Sequence, residues 1–370
     1  MLPRLGLLIT DDTVLCPGDY FIPAQGNGVL IIAVDNVVLD CNSAHIRGLN
    51  DGGLGIIVDR HKNISIKNCF IDSYFIGIDV VNSNNLAIFN NVISTGSLGL
   101  HSDKNSNNLS IFNNTFNDFS TGILAEETHQ LSIFNNKISD VFGDSGIEID
   151  LLNNAAVYNN TFFNVSNRGI SLGTTTNFSI FNNLIYDSEV YYAIDLYDAS
   201  DGAIFNNKIY DISHEIYYGV SGISASNLNN SQIYENYIFN SSRYGIYLSN
   251  SYNTAIYDNS VEKSFAGLKI YGAYGGLANN YISGNRFVSN VYGIDVSQSN
   301  GNDLKDNFVC QNQQFDVFNS RAMENNKGAG NTCDKTVDWK DEGVEDGCTF
   351  ACTQDVNPPV ITNATSVPTQ

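Results

Sequence analysis

The stretch Asn108-Leu-Ser-Ile-Phe-Asn-Asn-Thr-Phe116 recurs along this chain with small changes. Close copies run from Gln130 to Ile138 and from Asn177 to Ile185. The second Asn of the pair stands at positions 91, 114, 136, 160, 183 and 207, so the period is 22 to 24 residues. A Gly followed by an aliphatic residue, as at Gly122-Ile123, recurs with the same period. We call this position the Gly step. Repeats of this length are typical of a solenoid, in which each repeat buries its apolar side chains only against its neighbours.

Apolar and polar residues alternate within each repeat. Leu109 and Ile111 share one side of the chain, whereas Ser110 and Phe112 take the other. This period of two predicts β-strands. The strands are short, and the Asn, Ser, Asp and Gly residues between them tolerate the left-handed backbone of tight corners. Because no helix fits between the strands, we expect the chain to coil and successive coils to pair in parallel.

In this pattern the chain resembles the right-handed parallel β-helix of the pectin-lyase-like superfamily, and within it the NosD-like branch. The resemblance covers Ile9 to Phe318. It implies an all-β fold, a single right-handed parallel β-helix solenoid of about twelve coils with an N-terminal cap and a cysteine-containing C-terminal cap. Asn319–Cys352 resembles the cysteine-stapled C-terminal segment of some archaeal NosD-like surface proteins. The repeat motif is specific for the fold and implies no particular activity.

The division into parts follows where the repeat begins and ends. Residues 1–27 are predicted to form the N-terminal cap and residues 28–318 the parallel β-helix. Residues 319–354 are predicted to form the cysteine-containing C-terminal cap, and residues 355–370 a Pro/Thr linker or tail. A further domain could follow that linker in the parent protein.

The charge balance argues against several classes of partner. The formal net charge is -21, because 39 Asp and Glu face only 18 Lys and Arg. Such a surface repels phosphates and anionic lipids, so we expect neither nucleic acid nor a membrane surface as a partner. No apolar stretch approaches the roughly 18 residues of a membrane span. The frequent Asn has a structural explanation, since Asn side chains at successive corners can stack into an internal ladder of hydrogen-bonded amides.

Seven cysteines fall in two groups near the two ends of the predicted solenoid. This arrangement is typical of stapled caps, so it favours disulfides and an extracellular or cell-surface location. Zinc is the alternative for the C-terminal group, which however lacks paired CxxC motifs. With seven cysteines, one is expected to be free. The disulfide candidates are Cys310, Cys333, Cys348, Cys352, Cys16 and Cys41. We expect Cys333 to pair with Cys348 or Cys352.

Carboxylates recur two and four residues after the Gly step, where the strand alternation points side chains outward. Equivalent positions of successive coils lie about 4.8 Å apart, so these residues form an acidic face that runs from Asp59 to Asp150. If the protein is an enzyme, this face supplies its acid and base, because two carboxyl groups at such separations suit glycoside hydrolysis. The catalytic candidates are His101, Asp103, Glu126, Glu148 and Asp150.

The same face has two other interpretations. Carboxylate oxygens suit calcium, and the candidate ligands are Asp79, Asp103, Glu126 and Asp150; no other cofactor is expected. The simpler interpretation is a solvated acidic face, because the fold produces this spacing automatically. The Asn-Thr-Asp, Gly-His-Gly and Arg-Ile-Lys signatures of polygalacturonase-like hydrolases are absent, as is the Trp-x-Asp-His pattern of pectate lyases. Two Met and five scattered His offer no soft-ligand cluster for the copper chemistry linked to NosD.

A second outward column is aromatic, one residue beyond the inward Ile of each repeat. Two positions earlier the column is mostly Ala and Ser, so we expect a flat, uncharged strip beside an aromatic ridge. Large exposed apolar patches mark binding or assembly surfaces, although a ladder that only stabilises itself is the alternative. The ridge residues are Phe89, Phe112, Phe134, Tyr158, Phe181, Phe205, Tyr234 and Tyr257.

Tyrosines are concentrated in the C-terminal half and often precede the Gly step. Tyr191-Tyr192, Tyr217-Tyr218, Tyr244 and Tyr292 are predicted to form an aromatic platform, which suits sugar rings and protein partners alike. The first functional hypothesis is therefore a non-catalytic extracellular or cell-surface β-helix that binds glycan, assembles laterally with copies of itself or partners, or does both. The second is a polysaccharide-active glycosidase, lyase or epimerase that uses the acidic face.

Overall fold

The computed structural model describes residues 1–24, 26, 28–49, 52–103, 105–213, 219–272, 277–320 and 325–352. Within them the chain forms β-strands that pair in parallel and wind into a solenoid with three faces. The first and third faces share one sheet of 26 strands, and the second face is a separate sheet of 14 strands. The described residues form no helix that is long and apolar enough to span a membrane.

The strands of each face follow from the repeat. The first face, which carries the Gly step, contains Leu7–Ile9, Gly28–Ile32, Leu54–Asp59, Ile76–Val81, Ser145–Asp150, Asn167–Gly173, Val190–Tyr197, Ser221–Ser226, Tyr244–Ser249, Ala266–Tyr271, Tyr292–Ser297, Phe315–Ser320 and Thr336–Val337. The second face, which carries the aromatic column, contains Thr13–Val14, Val37–Asp40, Lys62–Lys67, Asn84–Phe89, Asn107–Phe112, His129–Phe134, Asn153–Tyr158, Thr176–Phe181, Ala203–Phe205, Gln232–Tyr234, Ala255–Tyr257, Tyr281–Ser283, Asp303–Lys305 and Lys327–Ala329. The third face contains Asp19–Phe21, His45–Arg47, Phe70–Asp72, Lys137–Val141, Thr161–Val165, Leu184–Ser188, Lys208–Ile212, Tyr237–Ser241, Ser260–Glu262, Arg286–Val288 and Phe308–Cys310. Two long strands, Val92–Asp103 and Thr115–Glu126, run through the third face into the first.

The fold class predicted from the repeat is confirmed, but the number of turns is larger than expected. The 14 strands of the second face give about fourteen turns instead of about twelve. One additional turn comes from Leu7–Ile9, Thr13–Val14 and Asp19–Phe21, and strands Lys327–Ala329 and Thr336–Val337 extend the other end. These strands lie in the segments predicted as caps. The predicted linker, residues 355–370, lies outside the described residues.

The interior is a continuous column of apolar side chains, most of them aliphatic. Ile88, Ile111 and Ile133 pair in register on successive turns and are fully buried. The Gly step has a steric cause, because a Cβ on Gly122 would lie 2.5 Å from the carbonyl oxygen of Gly146. At the corners, non-Gly residues with positive φ are mostly Asn and Asp, such as Asn113 at 56°, which these short polar side chains tolerate best.

The predicted internal ladder of Asn side chains is present. The Nδ2 group of each Asn donates to the Oδ1 of the Asn on the next turn over 2.9–3.1 Å. It also donates to a backbone carbonyl of the preceding turn, as Asn114 does to Ile88. The ladder consists of Asn91, Asn114, Asn136, Asn160, Asn183, Asn207, Asn236, Asn259, Asn285, Asn307 and Asn331. These buried amides are therefore satisfied, which explains the frequent Asn.

The ladder ends on a carboxylate. Asn331 donates its Nδ2 to Oδ1 of Asp341 at 2.7 Å and its backbone N–H to Oδ2 at 2.9 Å. Asp341 is buried and is also reached by the indole N–H of Trp339. The side-chain N–H₂ of each Asn donates to the side-chain oxygen on the next turn. The last position of the ladder therefore needs a group that only accepts hydrogen bonds, and the carboxylate of Asp341 provides it.

Six of the seven cysteines form disulfides: Cys41 with Cys69, Cys310 with Cys352, and Cys333 with Cys348. The four C-terminal cysteines are therefore all bonded, and none is left for zinc. The prediction of Cys16 as a disulfide partner is wrong. Cys16 is exposed and free, because Cys41 bonds to Cys69 on the following turn.

Candidate functional site

The outward columns of the first face lie in the register expected from the sequence. Asp79 pairs with His101, His101 with Leu124, Leu124 with Glu148, and Glu148 with Ser171. Two positions further on, Glu126 pairs with Asp150. The predicted acidic residues thus share one face. Leu124 and Ser171 interrupt the outward column that contains Asp79, His101 and Glu148.

His101 is tied to the carboxylates on both sides of its turn. Its Nδ1 lies 2.8 Å from Oδ1 of Asp79, and its Nε2 lies 3.8 Å from Oε2 of Glu126. The hydrogen bond to Asp79 raises the pKa of His101, with burial acting in the opposite direction and the charges of Asp79, Asp103 and Glu126 adding to the increase. When it is protonated, the imidazolium offsets part of the repulsion among these acids.

Further along the first face, one turn with small outward side chains lies between turns with longer ones, and this forms a depression of about 350 Å³. Its floor is Ser171 and Gly173, and Arg168 stands beside it. Burial raises the pKa of Glu148 on one wall and of Asp195 on the other, although Arg168 lowers both. Nε of Arg168 lies 3.3 Å from Oδ2 of Asp195. Glu148 and Asp150 contribute to this depression, whereas His101, Asp103 and Glu126 lie on earlier turns.

The calcium hypothesis finds no geometric support. In the described part of the chain, no three carboxylate, imidazole or thiolate groups converge closely enough to hold a metal ion. Asp103, Glu126 and Asp150 stand one above another on successive turns, while Asp79 bonds to His101 in the neighbouring column. A calcium site formed by these four residues stays a prediction.

The aromatic ridge on the second face is a continuous stack of rings. From Phe89 to Tyr257, neighbouring ring centroids lie 4.8–4.9 Å apart with interplanar angles of 1–5°. All eight rings are half-buried, and the Ile residues beside them fill the core. Because each ring covers the faces of its neighbours, the stack between Phe89 and Tyr257 exposes ring edges.

Beside the stack runs the predicted uncharged column of small side chains. It consists of Ala87, Ser110, Ser132, Ala156, Ser179, Ala203, Gln232 and Ala255. Beyond it, exposed amides form an outer ladder in which Asn108 donates to Asn85 at 2.8 Å. We call the aromatic stack and the column of small side chains together the second-face strip. The strip carries no charged side chain over eight turns.

The predicted tyrosine platform falls on the first face, beyond the depression. Tyr192 pairs with Ser221, and Ser221 pairs with Tyr244. Tyr244 and Tyr247 are separated by 5.2 Å between ring centroids at 20°. Burial raises the pKa of both Tyr192 and Tyr247. Of the predicted platform, Tyr217 and Tyr218 lie outside the described residues.

Sequence reasoning did not single out three features. Arg168 and Asp195 form an ion pair across turns, and Lys269 Nζ lies 2.6 Å from Oδ2 of Asp295 further along the first face. A second aromatic column on the third face consists of Phe163, Tyr186, Tyr210 and Phe239, with Lys137 5.0 Å from the centroid of Phe163. The spacing of these aromatics, 23 to 29 residues, is the sequence signal that could have identified that column.

Comparisons with known proteins address the fold. The family model described as "Right handed beta helix region" matches residues 54–210 and 146–309, together more than half of the chain. None of the curated protein sequences matches the chain. Among solved structures, the periplasmic alginate epimerase AlgG aligns with a TM-score of 0.61 at 16% identity, covering 78% of this chain and 77% of that one. The A-module of the Azotobacter vinelandii mannuronan C-5 epimerase AlgE4 aligns with a TM-score of 0.54 at 16% identity, covering 77% and 88%. The pre-mature gene product 12 of bacteriophage phi29 aligns with a TM-score of 0.56 at 14% identity, covering 89% and 51%.

Proposed function

Because the chain belongs to the right-handed β-helix family, we propose that it is a non-catalytic extracellular or cell-surface protein whose second-face strip binds a glycan chain. The observation that carries this proposal is the charge-free strip itself. It spans eight turns on a protein with a net charge of -21. A partner that covers it desolvates no charge, which removes the largest cost of binding to so acidic a surface.

The chemistry of the strip fits a neutral sugar chain. The ring edges are apolar, and Ser110, Ser132 and Ser179 offer hydroxyl groups beside them. The amides of Asn108 and Gln130 stand one position further out and are exposed. Sugars bind such mixed surfaces because their C–H groups pack on aromatic carbon while their hydroxyls exchange hydrogen bonds with amides and hydroxyls.

Structural neighbours support an interaction with glycan in general terms, because two of them are named as epimerases of alginate and of mannuronan. At 16% identity these similarities establish a common fold, but they do not indicate which glycan this chain binds. One of these neighbours is named as periplasmic, and the three disulfides fit an oxidising compartment. Both observations support a location outside the cytoplasm.

The test is the triple variant Phe112→Ser, Phe134→Ser and Phe181→Ser on a panel of neutral polysaccharides. If a bound chain covers about half of each ring, its loss removes about 2–4 kcal/mol, so the affinity should fall at least about tenfold. The matched control replaces Phe163, Tyr186 and Tyr210 of the third face by Ser. These residues are equally aromatic and half-buried but lie off the strip.

The control should bind normally, and both variants should keep a cooperative thermal transition. Equal binding by the wild-type protein and the strip variant contradicts the proposal. Light scattering of the same variants addresses lateral assembly, because a second copy packed on the strip would dissociate in the strip variant alone.

The depression on the first face favours a second candidate function, a polysaccharide-active enzyme. The specific observation is that burial raises the pKa of Glu148 in a hollow that could hold a sugar ring, as expected for a general acid. Glu148→Gln should then abolish turnover without lowering the thermal midpoint. Glu126→Gln makes the same comparison for the earlier turns. Turnover that survives both substitutions would exclude this face as the catalytic site.

A further inference from the structure

The first face changes character along the solenoid axis. Carboxylates dominate the turns up to Asp150, and tyrosines dominate the turns from Tyr192 onward. The depression on Ser171 and Gly173 lies where the two parts meet. A ligand that occupies both parts therefore has to combine positive charge with flat apolar surfaces.

The depression has more negative charge than its own cation balances. Arg168 pairs with Asp195. Among the described residues, Glu148 and Asp150 have no Lys, Arg or His nitrogen within ion-pair distance; Asp150 instead accepts the backbone N–H of Leu151 at 2.9 Å. Half-burial makes the charge of Glu148 costly, and burial accordingly raises its pKa. A cation placed between these two carboxylates would relieve that cost.

Two buried serine hydroxyls of the first face lie outside the lining of the depression. Ser145 and Ser221 occupy outward positions of the column that also holds Arg168 and Tyr192, since Ser145 pairs with Arg168 and Tyr192 with Ser221. Both are 0% exposed, and neither Oγ has a hydrogen-bond partner among the described residues. Buried hydroxyls are rarely left unsatisfied. A buried water molecule beside each would satisfy them, so they add nothing to the case for a ligand in the depression.

The rings of the tyrosine part are less regularly arranged than those of the second face, with interplanar angles of 47° between Tyr191 and Tyr192 and 20° between Tyr244 and Tyr247. Tyr197 is 57% exposed at the rim of the depression. The half-buried Tyr244 and Tyr247 follow two turns later, and the guanidinium carbon of Arg243 lies 4.9 Å from the Tyr244 centroid. Exposed tyrosines bind pyranose rings through their faces and attract cations through their π electrons.

From these observations we propose that the first face binds a cationic glycan, a chain of amino sugars whose amines are not acetylated. The depression holds one ammonium-bearing residue between Glu148, Asp150 and the floor at Ser171. The following sugar residues lie over Tyr197 and the Tyr244–Tyr247 pair. The net charge of -21 draws such a polycation toward the protein from a distance. This assignment is independent of the second-face strip, which belongs to a different sheet.

The experiment compares two oligosaccharides of one length, a glucosamine hexamer with free amines and its fully N-acetylated form. Titration calorimetry on the full chain at low salt should detect the free-amine form at least about tenfold more tightly, since acetylation removes the charge and keeps the rings. Binding should weaken steeply with added salt. Equal affinity for both forms would overturn the proposal.

Two charge-matched variants locate the site. The double variant Glu148→Gln and Asp150→Asn should lose about tenfold or more in affinity for the free-amine hexamer. The control Glu345→Gln and Asp346→Asn removes the same charges from exposed residues of the C-terminal segment and should bind like the wild-type protein. An equal loss in both variants would mean general attraction by net charge, and it would overturn the assignment to this face.

Tyr247→Ser and an oligolysine of the same charge distinguish a glycan from a cationic peptide. The substitution should weaken binding of the hexamer, and oligolysine should bind less tightly than the hexamer. Oligolysine binding as tight as the hexamer, with the hexamer unaffected by Tyr247→Ser, would assign the face to cationic peptides and overturn the proposal. The strip variant on the second face should keep full affinity for the hexamer, so failure of one proposal is separable from failure of the other.

Discussion

Removing the carboxylate of Asp341 should unravel the C-terminal end of the solenoid. Asp341 is 1% exposed and accepts five hydrogen bonds. Its Oδ1 accepts from the Asn331 amide and the Trp339 indole at 2.7 and 3.2 Å. Its Oδ2 accepts from the Asn331 backbone at 2.9 Å and from the backbone and hydroxyl of Thr349 at 3.0 and 2.8 Å.

The magnitude follows from the donors left behind. Asp341→Ala leaves five donors without a partner, and at about 1 kcal/mol each the local free energy of unfolding should fall by about 5 kcal/mol. We use the low end of the range because water can enter at the end of a solenoid. Asp341→Asn keeps the shape but replaces one accepting oxygen by an N–H₂ group. At least two donors then face another donor, so we expect about half of that loss.

The reciprocal substitution tests the direction of the ladder. Nδ2 of Asn160 donates to the carbonyl of Ile133 at 2.9 Å and to Oδ1 of Asn183 at 3.1 Å. Asn160→Asp would place an oxygen against these two acceptors and leave a buried charge without a partner, so it should also destabilise. Asn in the middle and Asp at the end are thus each required where they stand.

Hydrogen exchange measured by mass spectrometry is the suitable assay, because each turn of a solenoid is stabilised mainly by its neighbours. Asp341→Ala should strip protection from Lys327–Ala329 and Thr336–Val337 while Asn107–Phe112 remains protected. The disulfides Cys310–Cys352 and Cys333–Cys348 keep the segment tethered, so the global thermal midpoint will report less than the local exchange. Unchanged exchange in Asp341→Asn would refute the donor-direction argument.

Three other outcomes are expected. Peptide mapping without reduction should recover Cys310 joined to Cys352 and Cys333 joined to Cys348, with Cys16 alkylated; four alkylatable thiols in the C-terminal segment would contradict this. Gly122→Ala should lower the thermal midpoint, because its Cβ would lie 2.5 Å from a backbone oxygen that cannot move; an unchanged midpoint would mean that the turns can separate. The folded state raises the pKa of His101 mainly through Asp79, so this stabilisation is present below the unfolded pKa and is lost as pH rises through the folded one. Asp79→Asn should therefore destabilise more at about pH 5 than at about pH 8 and lower the His101 pKa in an NMR titration; equal effects at both pH values would be contrary to that assignment.

The sequence predicted the solenoid and the direction of its side chains because one pattern repeats with little change. Knowing that Ile111 points inward was sufficient to place Phe112 and Ser110 outside, and the burial of these residues confirms this. The internal Asn ladder follows from the same repeat. The outermost turns escaped prediction because they lack the pattern: Thr13–Val14 and Lys327–Ala329 carry no Ile-Phe-Asn-Asn sequence. Their pairing is a consequence of stacking on the neighbouring turn.

The candidate site was only partly predictable, because a repeat gives the column of a side chain but not the direction of its end group. The eight aromatic residues were correctly aligned, yet nothing in the sequence indicates that the rings lie nearly parallel and cover one another's faces. Arg168 belongs to the column one residue before Gly169, and its approach to Asp195 on the following turn depends on side-chain torsions. Cys16 was misassigned for a related reason, since sequence distance does not determine which neighbouring turn supplies the bonding partner.

The repeat leaves the outward columns free to differ, and this explains how one solenoid can carry several unlike surfaces. Folding requires the inward Ile, the Gly step and the Asn ladder, and each of these is used on almost every turn. The outward positions contribute only cross-turn contacts, so they vary with little effect on the fold. The second face uses this freedom for a uniform, uncharged stack, whereas the first face changes from carboxylates to tyrosines within a few turns. A uniform column suits a partner that can bind in any register, and a column that changes fixes the position of its ligand.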